Sequence, residues 1–210
     1  YNAFNLDNSK VINIGIDCTK FRNYGLKKKA FTISYFGSKY HDEGLPDVLQ
    51  AFKKLQNRGF DLNLYIKDLE EGEREKFYRF AKLDPNKVKI YGRVHDIEKK
   101  YNEADVVVFP IRTGVASIAV PLVLLEAMAC ERAVVATNLP NVKEIAGKSA
   151  ILVDPFSPDQ IVKAINTLEK SPSLRKRLGK EAGRRVLEHY NQNKMFEEYL
   201  EVYRFIEIDR

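Results

Sequence analysis

Short β-rich runs alternate with helical patterns along most of this chain, and that alternation restricts the fold more than any other feature. The runs are Phe31 to Phe36, Leu62 to Ile66, Val88 to Tyr91, Asp105 to Phe109, Ala133 to Ala136 and Ala150 to Val153. Strands separated by helices pair in parallel, with the connecting helices covering both faces of the sheet. The expected fold class is therefore α/β, a doubly wound six-stranded parallel sheet of Rossmann-like type, followed by C-terminal helices.

The helical patterns carry their own start and stop signals. Leu45, Val48, Leu49, Phe52 and Leu55 keep one apolar face at i, i+3, i+4, i+7 spacing, with Gly59 beyond them as a stop. Ser157-Pro158-Asp159-Gln160 reads as a capping box that opens a helix burying Ile161, Ala164, Ile165 and Leu168. After Ser171 the pattern becomes long and charged, with helices expected over Pro172 to His189 and Gln192 to Ile208 and no further strand. Tyr199, Tyr203 and Phe205 leave aromatic surface on the second of these. The organisation expected is a lead-in and linker over residues 1–30, the Rossmann-like domain over 31–171, and C-terminal helices over 172–210 that pack toward an absent N-terminal domain. Within the lead-in, Val11 to Asp17 resembles a strand and turn, and Lys27-Lys28-Lys29 a solvated linker.

Composition narrows the function classes. With 44% hydrophobic and 30% charged residues in 210, the chain resembles an ordinary soluble protein, and no apolar run approaches the roughly 20 residues of a membrane span. The net charge of +6 comes from Lys and Arg scattered among Glu and Asp, as on a solvated helix face, which argues against a nucleic-acid partner. A basic surface of this kind suits peripheral contact with anionic lipid. Cys18 and Cys130 lack any metal-site spacing and read as reduced thiols of a cytoplasmic protein. The chain opens at Tyr1 with no signal-peptide pattern, and reads as a piece of something longer.

In a sheet of order 3-2-1-4-5-6 the ligand crevice opens at the carboxyl ends of strands 1 and 4, where the winding reverses. Here those ends are the loops Gly37 to Gly44 and Pro110 to Val120, each leading into a helix whose free N–H groups suit an anion. A phosphate-bearing ligand is the expectation. Glu126 stands alone as a carboxylate in the apolar helix that follows, facing either that ligand or a paired cation. Two phosphate motifs fail. Gly147-Lys148-Ser149 ends like a Walker loop, but Val142 occupies the first Gly position, and the first loop offers only Gly37 and Gly44 of a dinucleotide fingerprint.

A set of ordered pieces matches a known family instead. They are Asn13 to Asp17 with Phe21, Tyr35-Phe36-Gly37 with Gly44-Leu45, Ile90 to Val94, Ala104-Asp105-Val106 with Pro110, Leu122 to Cys130, Val134 to Thr137, and Glu144-Ile145. In these the chain resembles the C-terminal, nucleotide-sugar-binding domain of retaining GT-B glycosyltransferases, the group that includes glycogen synthases and many mannosyltransferases.

The resemblance implies a donor half that moves a hexose-type sugar from a nucleotide-diphosphate sugar to a sugar or lipid-linked acceptor, with retention. The catalytic groups would belong to the N-terminal GT-B domain. No cofactor and no metal is implied, because helix N-termini and side-chain cations neutralise the leaving diphosphate. Glu126 would accept from the ribose hydroxyls. The backbone at Arg93 and Val94 would meet the base, and Ala119, Val120, Pro121 and Leu122 the diphosphate and sugar.

The chain departs from the pattern in places. Ser38 and Glu43 stand where an Arg and a Lys usually clamp the diphosphate, beside Gly37 and Gly44. Losing two charge-assisted contacts of roughly 1.5–3 kcal/mol each weakens diphosphate binding on the order of 10²- to 10⁴-fold. Lys39 and Arg112 are the nearest replacements in sequence. Ile118 replaces a sugar-contacting Glu that some branches also lack, and Glu131 a common Gly. These departures support the alternative reading, a catalytically degenerate domain serving as a regulatory or structural partner.

Overall fold

The computed structural model describes residues 9–26, 30–113 and 121–208. Its centre is a 6-stranded sheet in the order β3-β2-β1-β4-β5-β6. The strands are β1 Thr32–Gly37, β2 Asp61–Ile66, β3 Val88–Tyr91, β4 Val106–Phe109, β5 Ala133–Thr137 and β6 Ala150–Val153. Every neighbouring pair is parallel. The helices are α1 Leu45–Leu55, α2 Glu73–Ala81, α3 Ile97–Glu103, α4 Leu122–Ala129, α5 Pro140–Ala146, α6 Pro158–Lys170, α7 Pro172–His189 and α8 Gln192–Ile208.

The strand pleat divides the core in two. Ile33, Tyr35, Leu64, Val106, Val108 and Val135 point to one face, under α1 and α6. Phe36, Tyr65, Val107, Phe109 and Val134 point to the other, under α3 and α4. Both layers are apolar, so the central strands read as continuous hydrophobic runs; every residue of β4 and β5 is buried. At roughly 1.5–3 kcal/mol per buried large side chain, this double layer is the main source of stability.

Local signals mostly land where the sequence puts them, with informative exceptions. Gly59 takes a left-handed φ of 78° where the helical segment containing α1 ends. Pro158 opens α6, but the capping box does not form: Ser157 Oγ bonds the Pro155 carbonyl, and Gln160 instead pairs with Asp154. The lead-in forms no strand among its described residues. Ile16 makes a single bridge to Asn191, donating its N–H to the Tyr190 carbonyl and accepting from the Gln192 N–H. The tail is not uniform either. α7 packs into the domain itself, burying Ala182 and Val186 against the same layer as α4, whereas α8 leaves Tyr199, Tyr203 and Phe205 exposed. Lys27 to Lys29 lie outside the described residues.

Glu131, which stands where a Gly is common, occupies a left-handed turn with φ of 55°. Its N–H donates to the Met128 carbonyl, and the Arg132 N–H reaches back to the Ala127 carbonyl, the reverse-turn ending that favours Gly after a helix. The turn is therefore the one a Gly would make. Its side chain lies over Gly183 and accepts a bond from Asn23.

Candidate functional site

A cleft of about 360 Å³ opens at the carboxyl ends of β1 and β4, where the strand order reverses. Phe36 and Gly37 from β1, Tyr65 and Lys67 from the end of β2, and Gly92 to Val94 after β3 form one wall. Phe109, Ile111 and the start of α4, Pro121 to Val123, form the other. Of the binding residues named from sequence, Gly37, Arg93, Val94, Pro121 and Leu122 line this cleft, and so does Glu43, the acid at a clamp position. Ala119 and Val120, with Ile118, fall outside the described residues.

Ser38, Lys39, Arg112 and Glu126 are not among the lining residues, and the structure gives each an internal engagement. Ser38 is fully buried, and its N–H donates to Glu43 Oε2 at 2.6 Å. The next N–H, of Lys39, donates to Asp68 Oδ1 at 3.0 Å. The Lys39 ammonium lies between Glu70 and Glu73, at 3.2 and 3.0 Å, and these carboxylates raise its pKa, Glu73 most strongly.

Arg112 makes a two-pronged pair with Asp47 at the start of α1, both contacts 2.8 Å, with both side chains buried. Its N–H also donates to the Asp42 carbonyl at 2.8 Å. Beside it, Gly44 sits at φ of 79° so close to Pro110 that a Cβ would overlap the Pro110 carbonyl. Arg112 thus ties the strand-4 loop to the strand-1 loop, with its fork directed at Asp47.

Glu126 lies one turn beyond Leu122 on α4. Its carboxylate accepts from the Tyr101 hydroxyl at 2.7 Å, and burial raises its pKa against the opposing effects of that bond and of the Lys20 charge. Tyr101 reaches it from α3, one turn beyond the cleft residue Ile97, and is itself fully buried.

Phe36 and Tyr65 bring an aromatic stack to the cleft, which residue-by-residue reading missed. Tyr101 stacks on Phe36 at 4.0 Å between centroids, Phe36 on Tyr65 at 4.5 Å, and Tyr65 on Tyr91 at 4.9 Å. Phe36, Tyr65 and Tyr91 are successive register partners across β1, β2 and β3. The legible signal was an aromatic residue at the last or next-to-last place of each strand.

Lys67 was also missed. It follows β2, donates its N–H to the Gly37 carbonyl at 2.9 Å, and with Arg93 supplies the cationic side chains among the described lining residues. Among the described residues no group of three or more His, Cys, Asp or Glu is placed to hold a metal ion, and no helix is long and apolar enough to cross a membrane.

The comparisons agree with this architecture. The chain is 27% identical over 209 residues to the capsular polysaccharide biosynthesis glycosyltransferase CapM of Staphylococcus aureus, covering 97% of this chain and 51% of that protein. Among solved structures, sucrose-phosphate synthase from Thermosynechococcus elongatus superposes with a TM-score of 0.81 at 20% identity, over 96% of this chain and 53% of that one. Anabaena HepE, solved with UDP-glucose, gives 0.79 at 18%, over 96% and 58%. The chain thus spans about half the length of these relatives. The family described as glycosyl transferases group 1 matches residues 18–185, and the chain belongs to that family.

Proposed function

We propose that this chain is the donor-binding half of a glycosyltransferase that moves a hexose-type sugar from a nucleotide-diphosphate sugar to a carbohydrate or lipid-linked acceptor, with retention. The observation that carries the reading is the cleft at the reversal point of the sheet, in a chain of this family, between the Gly92–Val94 wall and the start of α4. In the reading, the flat backbone after β3 takes the base, and Glu126, already holding one hydroxyl donor in Tyr101, turns a carboxylate oxygen to the ribose. Pro121 and Leu122 stand toward the diphosphate and sugar. UDP-glucose in the similarly folded HepE supports the ligand class.

An N-terminal domain of the same protein would close over the cleft and supply the acceptor site. The exposed aromatic residues of α8 are the surface proposed to meet it. Charge neutralisation by the protein, without metal, is part of the proposal.

Calorimetric titration of the chain with UDP-glucose, GDP-mannose and ADP-glucose tests the reading. Binding of one of them, weakened at least tenfold in Glu126→Ala, is expected. A specific observation favours the second reading, a degenerate partner domain: the backbone N–H groups of Ser38 and Lys39 are already taken by Glu43 and Asp68. Absence of binding by all three donors at millimolar concentration selects it.

A further inference from the structure

Resting on the donor-binding reading, we infer that Lys67 is a diphosphate-binding cation of this cleft and that Glu43 is its resident counter-ion, from which the donor takes the ammonium. The place where an anion would ordinarily sit at the end of β1 is filled from within. Ser38 N–H is held by Glu43 at 2.6 Å and Lys39 N–H by Asp68 at 3.0 Å. Neither donor is open to phosphate, and Lys39 and Arg112 are engaged by their own carboxylates.

Lys67 differs from both in what holds it. Its backbone is fixed to the Gly37 carbonyl, and Gly37 pairs with Ile66, so Lys67 emerges directly beside the strand-1 turn. Its side chain is 61% exposed, lines the cleft, and meets Glu43 Oε1 at 3.3 Å. An exposed pair of that kind is worth about 1 kcal/mol or less. The short bond from Ser38 N–H to the same carboxylate is charge-assisted and stronger. The weaker contact is the one that gives way. A diphosphate entering between the cleft walls takes the ammonium from Glu43, while Glu43 stays on the backbone as a fixed negative charge. Donor affinity is then set by the balance between Lys67, which attracts, and Glu43, which repels.

The test is titration calorimetry of the 210-residue chain with uridine, guanosine and adenosine diphosphates, followed by the best binder on variants. Lys67→Met is expected to weaken binding about tenfold, and Lys67→Arg to restore it to within about threefold of the parent. Glu43→Gln keeps an acceptor for Ser38 N–H while removing the charge, and is expected to tighten binding severalfold. Thermal melts check that each variant is folded; both side chains are partly exposed at the cleft rim, and their removal opens no cavity. Nucleotide binding by the parent that Lys67→Met leaves within twofold overturns the assignment of Lys67 and leaves the donor reading standing. Unchanged or weaker binding in Glu43→Gln overturns the counter-ion role. No binding by the parent or by Glu43→Gln overturns both the assignment and the donor reading.

Discussion

The Tyr101 hydroxyl donates to Glu126 Oε2 across 2.7 Å, joining α3 to α4 directly behind the cleft. Tyr101 is fully buried, stacked on Phe36 and edge-on to Phe21, so its hydroxyl has been withdrawn from water. Burial raises the Tyr101 pKa far above its ordinary value, so it meets Glu126 as a neutral phenol, and burial raises the Glu126 pKa as well.

The raised Glu126 value fixes the sign of a pH effect. The folded chain holds this proton more tightly than the unfolded chain, so stability falls as pH rises from about 4.5 through the folded-state value. Glu126→Gln is expected to remove that part of the slope, seen by comparing thermal unfolding of the two proteins from about pH 4 to about pH 7. Equal slopes in the two proteins would show that the carboxylate is not penalised by burial. Tyr101→Phe removes the compensating donor and is expected to lower stability by about 1–3 kcal/mol at neutral pH.

The Arg112–Asp47 pair carries a larger stake. Arg112 is 7% exposed and Asp47 3%, so removing either partner takes a two-pronged, charge-assisted contact away from a buried charge. Arg112→Met is expected to destabilise by about 3–5 kcal/mol in urea unfolding. Arg112→Met together with Asp47→Leu is expected to recover most of that loss, since a buried pair replaced by apolar groups is often neutral. A single variant that costs less than about 1 kcal/mol would mean the pair is solvated in solution.

The fold was legible because strands buried on both faces, such as Val106 to Phe109 and Ala133 to Thr137, cannot be mistaken for amphipathic surface. The place of the cleft followed from the order of the strands. Its chemistry was harder to read, because partners come from distant parts of the chain. Nothing near Arg112 in sequence points to Asp47, sixty-five positions away. Lys67 belongs to no motif, and only the register Gly37 to Ile66 brings it beside the β1 turn. Tyr101 is core, and its hydroxyl partner is visible only once α3 and α4 are packed. Glu131 departed from Gly in identity and kept the Gly backbone, which a sequence cannot display.

The cysteines are expected to separate by reactivity. Cys130 is fully buried, and burial pushes its thiol up to about 12, whereas Cys18 is half-buried. Thiolate is the reactive form. Iodoacetamide near pH 8 is therefore expected to label Cys18 first, and Cys130 only when denaturant is added, as read by peptide mass spectrometry. Labelling of Cys130 at the same rate as Cys18 would show that the α4 C-terminus opens readily.

The contact between α4 and α7 depends on two glycines that differ in what surrounds them. A Cβ at Gly179 would overlap the Glu131 carbonyl oxygen, which is backbone and belongs to a turn already held at φ of 55°. A Cβ at Gly183 would lie 2.8 Å from Glu131 Cγ, part of a flexible side chain that can swing away. Both positions lie inside α7, where Ala is favoured over Gly by about 1 kcal/mol. At Gly183 that gain meets a soft obstacle, and Gly183→Ala is expected to change stability by less than about 1 kcal/mol in either direction. At Gly179 the helix would have to move off α4, thinning the layer that buries Ala182 and Val186, and a net loss of more than about 2 kcal/mol is expected. Urea unfolding of the two variants decides it. Equal effects at both positions would mean that α7 is not seated against the Glu131 turn.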